Sequence, residues 1–472
     1  MRTTPVSEIP SIRDTLRANF RKGVTRPIEW RKEQLLQLAR MVQENGQAFA
    51  DALGKDLGKP KIEVYFSEIG AIVERCITSA AELQEWAKPL AVQPPDWQKS
   101  WNPTVYKGAK GTVLIIAPWN YPLVLSLQPL LGAIGAGCCA VVKPSEVAPH
   151  YAELLAELVP KYLDPNAYRV VLGAVPETTK LLELQWDHIF YTGNGRIARI
   201  ISAAAAKHLT PLTLELGGKS PVIVDPTCDI TLAAKRTLWG KAQNCGQLCV
   251  SPDYVLIPRT HQDAFVAALQ AAYAELFPEG SLASTSISRI VTPEHHARLS
   301  ELLKRTKGQV AFGGKTEGNS KIELTVLKDV PVDDSFMEGE IFGPFLPIVP
   351  VDSIDEAIDF VRDRDHPLVL YAFTESPEVK TQILDGTMSG SIVFNDTFNQ
   401  LAVNELPFGG VGESGYGRQV LKHTYDVFSY DRASIDVPFA IEPFNAVRYQ
   451  PYDDDKFKAM TAAAFLEIPA RS

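Results

Sequence analysis

The chain has 472 residues, is 45% hydrophobic and 22% charged, and carries a formal net charge of -9; that is ordinary globular composition, long enough for two or three domains with cores of their own. No Lys/Arg-rich block is present, so a nucleic-acid role has no electrostatic support, residues 1–25 hold no apolar run of the signal-peptide kind, and no stretch reaches the roughly 20 apolar residues of an integral membrane segment. The six cysteines (76, 138, 139, 228, 245, 249) do not form a disulfide framework in so long a chain, which points to a reducing, cytoplasmic compartment.

In chain order, Leu35, Leu36, Leu38, Ala39, Val42, Phe49 and Leu53 fall at helical spacing and predict one amphipathic helix over 31–54. A second helical pattern covers 62–87 and ends before Pro89. Pro89, Pro94, Pro95 and Pro103, with two tryptophans between them, predict an extended connection or edge hairpin that could project as an arm.

A regular alternation follows. Strands are predicted at 112–117, 138–142, 169–172, 188–191 and 212–216, with helices at 123–137, 148–163, 177–185 and 195–207 between them. Such alternation means βαβ units, a parallel Rossmann-type sheet with helices on both faces, and an α/β class. Val113-Leu114-Ile115-Ile116 shows no polar alternation, as expected of a strand buried on both sides. Ligands of such sheets bind beyond the carboxyl ends of the strands. Those ends read Pro118-Trp119-Asn120, Lys143-Pro144-Ser145-Glu146, Thr192-Gly193-Asn194-Gly195 and Glu215-Leu216-Gly217-Gly218, all polar or glycine-rich.

A second alternation predicts strands at 221–224, 254–257, 345–349, 369–373 and 391–395 and helices at 229–243, 261–276, 293–306, 353–362 and 377–385, hence a second α/β domain. The glycine cluster 408–417 marks a loop leaving it. From Asp436 onward, prolines, aromatics and the acidic run Asp453–Asp455 read as a tail packing over the body. The apolar segment Ala459–Ile468 is too short to span a membrane and is interrupted by Glu467.

Several residues have chemistry to offer, each with a plainer alternative. Cys249, on a glycine-containing segment between a helix and a strand, could be a nucleophile or a small buried hydrophobe. Gly193-Asn194-Gly195-Arg196-Ile197-Ala198 fits G-x-G-x-x-A between strand and helix, which suits a phosphate on a helix N-terminus but also an ordinary tight turn. Glu215 lies where such a motif places a ribose ligand, yet it also begins Glu-Leu-Gly-Gly-Lys, where Gly217 allows a flat ring close to the backbone and a buried carboxylate could serve as a general base. Lys143 and Glu146 could hold ribose hydroxyls or sit in a solvated turn. Asn120 could donate to an oxyanion or serve the turn. Glu340-Ile341-Phe342-Gly343-Pro344 could be an ordinary loop-to-strand joint.

Taken in order, Pro-Trp-Asn at 118, Lys-Pro-Ser-Glu at 143, Thr-Gly-Asn at 192, Glu-Leu-Gly-Gly-Lys at 215, Gly-Gln-x-Cys at 246, Glu-Ile-Phe-Gly-Pro at 340 and Pro-Phe-Gly-Gly at 407 resemble the aldehyde dehydrogenase superfamily from about residue 25 to about 433. The short N-terminus, the segment 207–221 and the ending Arg448-Tyr-Gln-Pro-Tyr452 look like its class 3 branch, which includes fatty aldehyde dehydrogenases. The resemblance implies an NAD-binding domain (1–90 and 108–216, rejoined by about 408–425), a catalytic domain (217–407), oligomerisation segments (91–107 and 426–447) and a tail (448–472). It implies Cys249 as nucleophile, Glu215 as general base and Asn120 with the Cys249 backbone N–H as oxyanion hole. Lys143 and Glu146 would meet the adenosine ribose, Gly193, Gly195 and Ala198 the pyrophosphate, and Glu340 and Phe342 the nicotinamide end, with Ser145, Gly217 and Trp119 also cofactor-binding. The loop departs from the branch's usual Gly-x-Thr-Ala-Val-Gly at Arg196 and Ala198, and the tail lacks the apolar anchor of membrane-bound members.

The expected reaction is oxidation of a hydrophobic aldehyde (aliphatic, aromatic or isoprenoid) to its acid. NAD is favoured because Glu146 repels a 2′-phosphate, and NADP is admissible if Lys143 neutralises that charge. A homodimer is implied by the branch. Tyr121, Leu123, Phe398, Leu401, Phe439 and Phe444 are candidate funnel residues. Cys245 is either a small loop residue or a redox partner of Cys249. Two competing readings are a non-enzymatic binding protein on the same fold, which Arg196 and Ala198 allow, and CoA-acylating oxidation, for which Glu215 would have no purpose.

Overall fold

The computed structural model describes residues 2–464 and 466–470. The chain forms two compact units. One runs up to Trp86 and includes Ala109–Ser429, and the other comprises Ala87–Gly108 and the chain from Tyr430 onward.

The larger unit holds two principal sheets. The first has the strand order Gly415–Tyr416, Leu212–Glu215, His188–Thr192, Thr112–Ile116, Cys139–Lys143, Tyr168–Val170. All pairings are parallel except that of Gly415–Tyr416, where the chain returns from the second sheet. The three central strands are buried at every position, which explains their unbroken apolar runs. Strand order reverses direction between Thr112–Ile116 and His188–Thr192, so a crevice opens beyond their carboxyl ends. Register brings those ends level: Ile116 pairs with Lys143 and Tyr191, and Thr192 with Glu215.

The second sheet has the order Gln309–Phe312, Thr325–Lys328, Phe345–Val351, Tyr254–Pro258, Pro221–Val224, Val369–Phe373, Ser391–Phe394, parallel throughout except at Gln309–Phe312. Its two faces feed separate cores: Val222 and Val224 enter one and Ile223 the other, the alternation a strand imposes. A third core, around the first sheet, gathers residues from Ile9 to Leu216 together with Tyr425 and Phe428.

The predicted α/β alternation is present, and the elements differ from it at several points. The single helix over 31–54 is two helices, Ile28–Glu44 and Gly46–Leu57. At the joint Asn45 leaves helical geometry (φ -105, ψ 19) and its amide donates to the Met41 carbonyl at 2.9 Å, a side-chain bond that competes with the helical ladder. The pattern at 62–87 contains a π turn, Tyr65–Ile69, between Lys61–Val64 and Gly70–Trp86. A helix at Ile9–Lys22, not predicted, buries Ile9, Ile12 and Leu16 and stops at Gly23, whose φ of 80 suits glycine. The strands Gln309–Phe312 and Thr325–Lys328 were also not predicted.

In the smaller unit, Leu90–Ala91, Thr104–Ala109 and Ser429–Ser434 form a three-stranded sheet, so the proline-rich stretch is an edge hairpin. Trp97 meets Trp101 edge-on at 5.2 Å and Phe444 at 6.2 Å. The predicted tail over 448–472 lies in part outside the described residues. Among the described residues no helix is long and apolar enough to cross a membrane.

Candidate active site

Within the larger unit, the carboxyl ends of the first sheet meet the amino ends of the second. The Trp119 ring stands edge-on to Phe342 at 5.4 Å. Asn120 Nδ2 donates to the Gln247 carbonyl at 3.1 Å, and Asn244 Nδ2 donates to the Asn120 carbonyl at 2.9 Å. Gly217 faces Glu340: a Cβ there would come within 2.3 Å of Oε2. Trp119, Asn120 and Gly217 follow strands, whereas Asn244, Gln247, Glu340 and Phe342 precede them. The carboxyl-end rule therefore accounts for half of the cleft.

The loop bearing Cys249 is strained and braced. Beyond the helix Ile230–Ala242, Asn244 (φ 46), Cys245 (φ 57) and Gly246 (φ 72) are consecutive left-handed residues, a conformation that costs non-glycine side chains energy and persists only where the surroundings enforce it. Gly246 is the tight point, because a Cβ would meet the Gly343 carbonyl oxygen at 2.2 Å. Gln247 supplies the brace: Nε2 donates to the carbonyls of Asn244 (3.0 Å) and Arg289 (2.9 Å), and Oε1 accepts from Val291 N–H (3.1 Å). Buried Lys241 donates to the Pro252 carbonyl at 2.9 Å, tying both ends of the loop.

Cys249 is a half-buried free thiol. Burial pushes it up to about 12, the Glu340 and Glu215 carboxylates add to the rise, and the backbone N–H groups of Cys249 and Val250 oppose it. Cys245 is fully buried and burial pushes it up to about 12 as well. Its side chain packs in the core of Ile223, while Cys249 lies against the core of Val222, on the other face of the sheet. The two thiols are free and pack against different cores.

Glu215 is 2% exposed, and neither carboxylate oxygen has a hydrogen-bond partner. Burial holds its pKa well above the usual carboxyl range, and only Arg418 pulls it down. A buried carboxyl group without partners is costly unless something else is to meet it. Glu340 is pushed up to about 8 by burial and then by Asp253, against the Gly218 N–H, Lys219 and Arg298, and its Oε1 is likewise buried without a partner. The loop before it is set by Lys219, which donates to Asp253 and to the carbonyls of Phe336 (2.7 Å) and Gly339 (3.0 Å), while Asp253 accepts from Ile341 N–H at 3.0 Å.

On the first sheet, Lys143 Nζ pairs with Glu146 Oε2 at 2.6 Å. Ser145 accepts from Val147 N–H at 3.2 Å, so its hydroxyl serves its own turn. Asn194 caps the helix Gly195–Ala206 by accepting from Ile197 N–H, and the Tyr191 hydroxyl accepts from Asn194 N–H at 3.1 Å, closing the glycine turn. Gly193 is required there, since a Cβ would fall 2.1 Å from the Tyr191 oxygen. Ala198 is 2% exposed and packs into the core, so a small residue suffices at that position, and Arg196 is exposed on the first helical turn. Thr192 Oγ1 is buried without a partner. Unpartnered polar atoms at Thr192, Glu215 and Glu340 around a strand-order reversal fit a polar dinucleotide.

Of the candidate funnel residues, Tyr121, Phe398 and Leu401 lie with Cys249 against one core. Leu123 does not line the cleft; it is 0% exposed and belongs to the core of the first sheet. Phe439 and Phe444 belong to the smaller unit. Sequence reasoning missed Trp239, whose ring meets Phe398 at 5.8 Å, and Arg418 beside Glu215.

A sequence profile of the aldehyde dehydrogenase family matches residues 6–433. Over 442 residues the chain is 42% identical to "Aldehyde dehydrogenase family 3 member A2" of Mus musculus, covering 93% of this chain and 91% of that protein. It is 41% identical to "Aldehyde dehydrogenase, dimeric NADP-preferring" of Rattus norvegicus, over 93% and 98% of the respective chains. A substrate-bound structure of Staphylococcus aureus AldH superposes with a TM-score of 0.93 at 38% identity, over 97% of this chain and 99% of that one.

Proposed function

The chain belongs to the aldehyde dehydrogenase family and so is an oxidoreductase acting on aldehydes, and from that premise we propose that it oxidises a hydrophobic aldehyde to its carboxylic acid with NAD through a covalent intermediate on Cys249. The observation that carries the reading is the convergence on one half-buried thiol of two raised carboxyls, Glu340 and Glu215, with the Asn120 amide bonded into the same loop.

In this reading the Cys249 thiolate attacks the aldehyde carbon, a C–S bond forms, and the carbonyl electron pair moves onto oxygen. The Asn120 amide carries a second hydrogen beyond the one given to Gln247, and with the Cys249 backbone N–H it holds that oxyanion. Such preorganised donors contribute roughly 3–4 kcal/mol. Glu340 and Phe342 would hold the nicotinamide end of the cofactor, Lys143 and Glu146 the adenosine ribose, and the turn Gly193–Ala198 the pyrophosphate. When bound, the oxidised cofactor would supply a hydride acceptor. Collapse of the oxyanion re-forms the carbonyl and breaks the C–H bond; the hydrogen leaves as hydride, for whose two electrons a bound cofactor would be the acceptor, and a thioester remains on Cys249. Glu215 then takes a proton from water, the water oxygen adds to the thioester carbon, and the acid leaves as the C–S bond breaks.

The Glu146 carboxylate disfavours a 2′-phosphate and supports NAD, while its pairing with Lys143 leaves NADP as a weaker second cofactor. Tyr121, Trp239, Phe398 and Leu401 support an aliphatic, aromatic or isoprenoid substrate. A cytoplasmic homodimer completes the proposal, supported by the word "dimeric" in the rat relative's name.

Cys249→Ser tests the reading. Aldehyde-dependent NADH formation should vanish while NAD still binds, as followed by fluorescence titration. Unchanged turnover in that variant overturns the assignment.

A further inference from the structure

We propose that Lys59 and Glu68 form a buried positioning pair that aims the Asn120 amide at the oxyanion, an inference that rests on the role proposed above for Asn120. Neither side chain has any exposed surface, and Lys59 Nζ stands 2.6 Å from Glu68 Oε1. The same ammonium donates to the Asn120 carbonyl at 3.2 Å and lies 3.3 Å from the centroid of the Tyr121 ring. The other Glu68 oxygen, Oε2, accepts from the N–H groups of Leu123 (2.9 Å) and Val124 (3.3 Å). These open the helix Pro122–Ala136, whose positive end favours an anion.

The pair therefore grips the oxyanion turn on both sides, the cation on the Asn120 carbonyl and the anion on the backbone that follows. Glu68 lies in the π turn Tyr65–Ile69, a local expansion of the helix that often accompanies functional sites. The ion pair itself gives little stability reason for being there, because apolar residues of similar volume often replace a buried pair at small cost; what it adds is the backbone groups it holds on either side of Asn120. Geometry gives one, because displacing a reacting group by about 1 Å costs about a hundred-fold in rate.

The test is a mutant cycle on the full-length enzyme, with kcat, KM, NAD affinity and Tm measured for Lys59→Met/Glu68→Leu in the parent and in an Asn120→Ala background. The apolar pair should leave NAD affinity unchanged and lower kcat by about ten- to a hundred-fold with little change in KM, with a fall in Tm from the Leu123 and Val124 N–H groups that lose their acceptor. In the Asn120→Ala background the same replacement should cost nothing further, because the pair acts through that amide. Parental kcat in the apolar-pair variant, or the same loss in both backgrounds, overturns the proposal. Asn120→Ala with parental kcat would instead sink the oxyanion role of Asn120 itself. Should the double replacement not fold, Lys59→Gln can still donate to the Asn120 carbonyl and should retain clearly more activity than Lys59→Met. Equal losses in those two single variants also overturn it.

Discussion

Lys143 and Glu146 form an ion pair of 2.6 Å at the end of a central strand, with Lys143 buried and the Glu146 side chain 38% exposed. The strand end fixes the lysine, and the short turn brings the carboxylate back to it. In the proposed cofactor pose the carboxylate faces the 2′ position of the ribose. Glu146→Gln keeps the shape and removes the charge. It should raise the NADP-to-NAD ratio of kcat/KM by roughly ten-fold, the effect of removing about 1.4 kcal/mol of repulsion. Parallel kinetics with the two cofactors check this.

In the proposed mechanism Glu215 and Arg418 would together set the pH dependence of hydrolysis. Glu215 is raised by burial and opposed only by Arg418, so its carboxyl stays protonated above the usual carboxylate range. A base must be ionised to work, so kcat should rise with pH through its raised value. Arg418→Met removes the opposing charge, raises that value further and should move the acidic limb of the kcat profile to higher pH. The same raised pKa makes ionised Glu215 a burden on the fold. Its contribution is intact below about pH 4.3, the unfolded carboxyl value, and is lost as pH climbs through the folded value. Glu215→Gln should therefore raise Tm at alkaline pH and leave it nearly unchanged in acid. A limb that moves to lower pH in Arg418→Met contradicts the account.

Trp239 and Phe398 meet at 5.8 Å, Phe398 packs against the same core as Cys249, and it sits at φ 65, a strained backbone for a bulky residue. If they form an apolar wall, kcat/KM should climb with aldehyde chain length by up to about 0.8 kcal/mol per buried methylene. Trp239→Ala should flatten that series and spare the shortest aldehydes. An unchanged slope would remove Trp239 from the substrate path.

Much of this site was legible because strand ends announce themselves. An apolar run closed by Pro118-Trp119, Lys143-Pro144 or Thr192-Gly193 has few other readings, and the order of the seven motifs assigned Glu215 and Cys249. What stayed hidden depends on three-dimensional neighbours. Lys59 and Glu68 belong to no motif in the sequence, and only the fold shows them paired and without solvent. Leu123 read as a funnel residue because an apolar residue after an active-site turn can face either the cleft or the core, and it faces the core. The break at Asn45 was invisible because apolar positions continue at helical spacing on both sides of it. Cys245 was open between a small loop residue and a redox partner of Cys249, and the left-handed run Asn244–Gly246 with the different cores of the two thiols was not legible in the spacing.

The most direct measurement is the intact mass of Glu215→Gln after mixing with an aldehyde and NAD. With hydrolysis blocked, the account predicts a burst of NADH and a mass gain of one acyl group, mapped by peptide analysis to Cys249. A burst without acyl mass, or an acyl group on any residue other than Cys249, would contradict it.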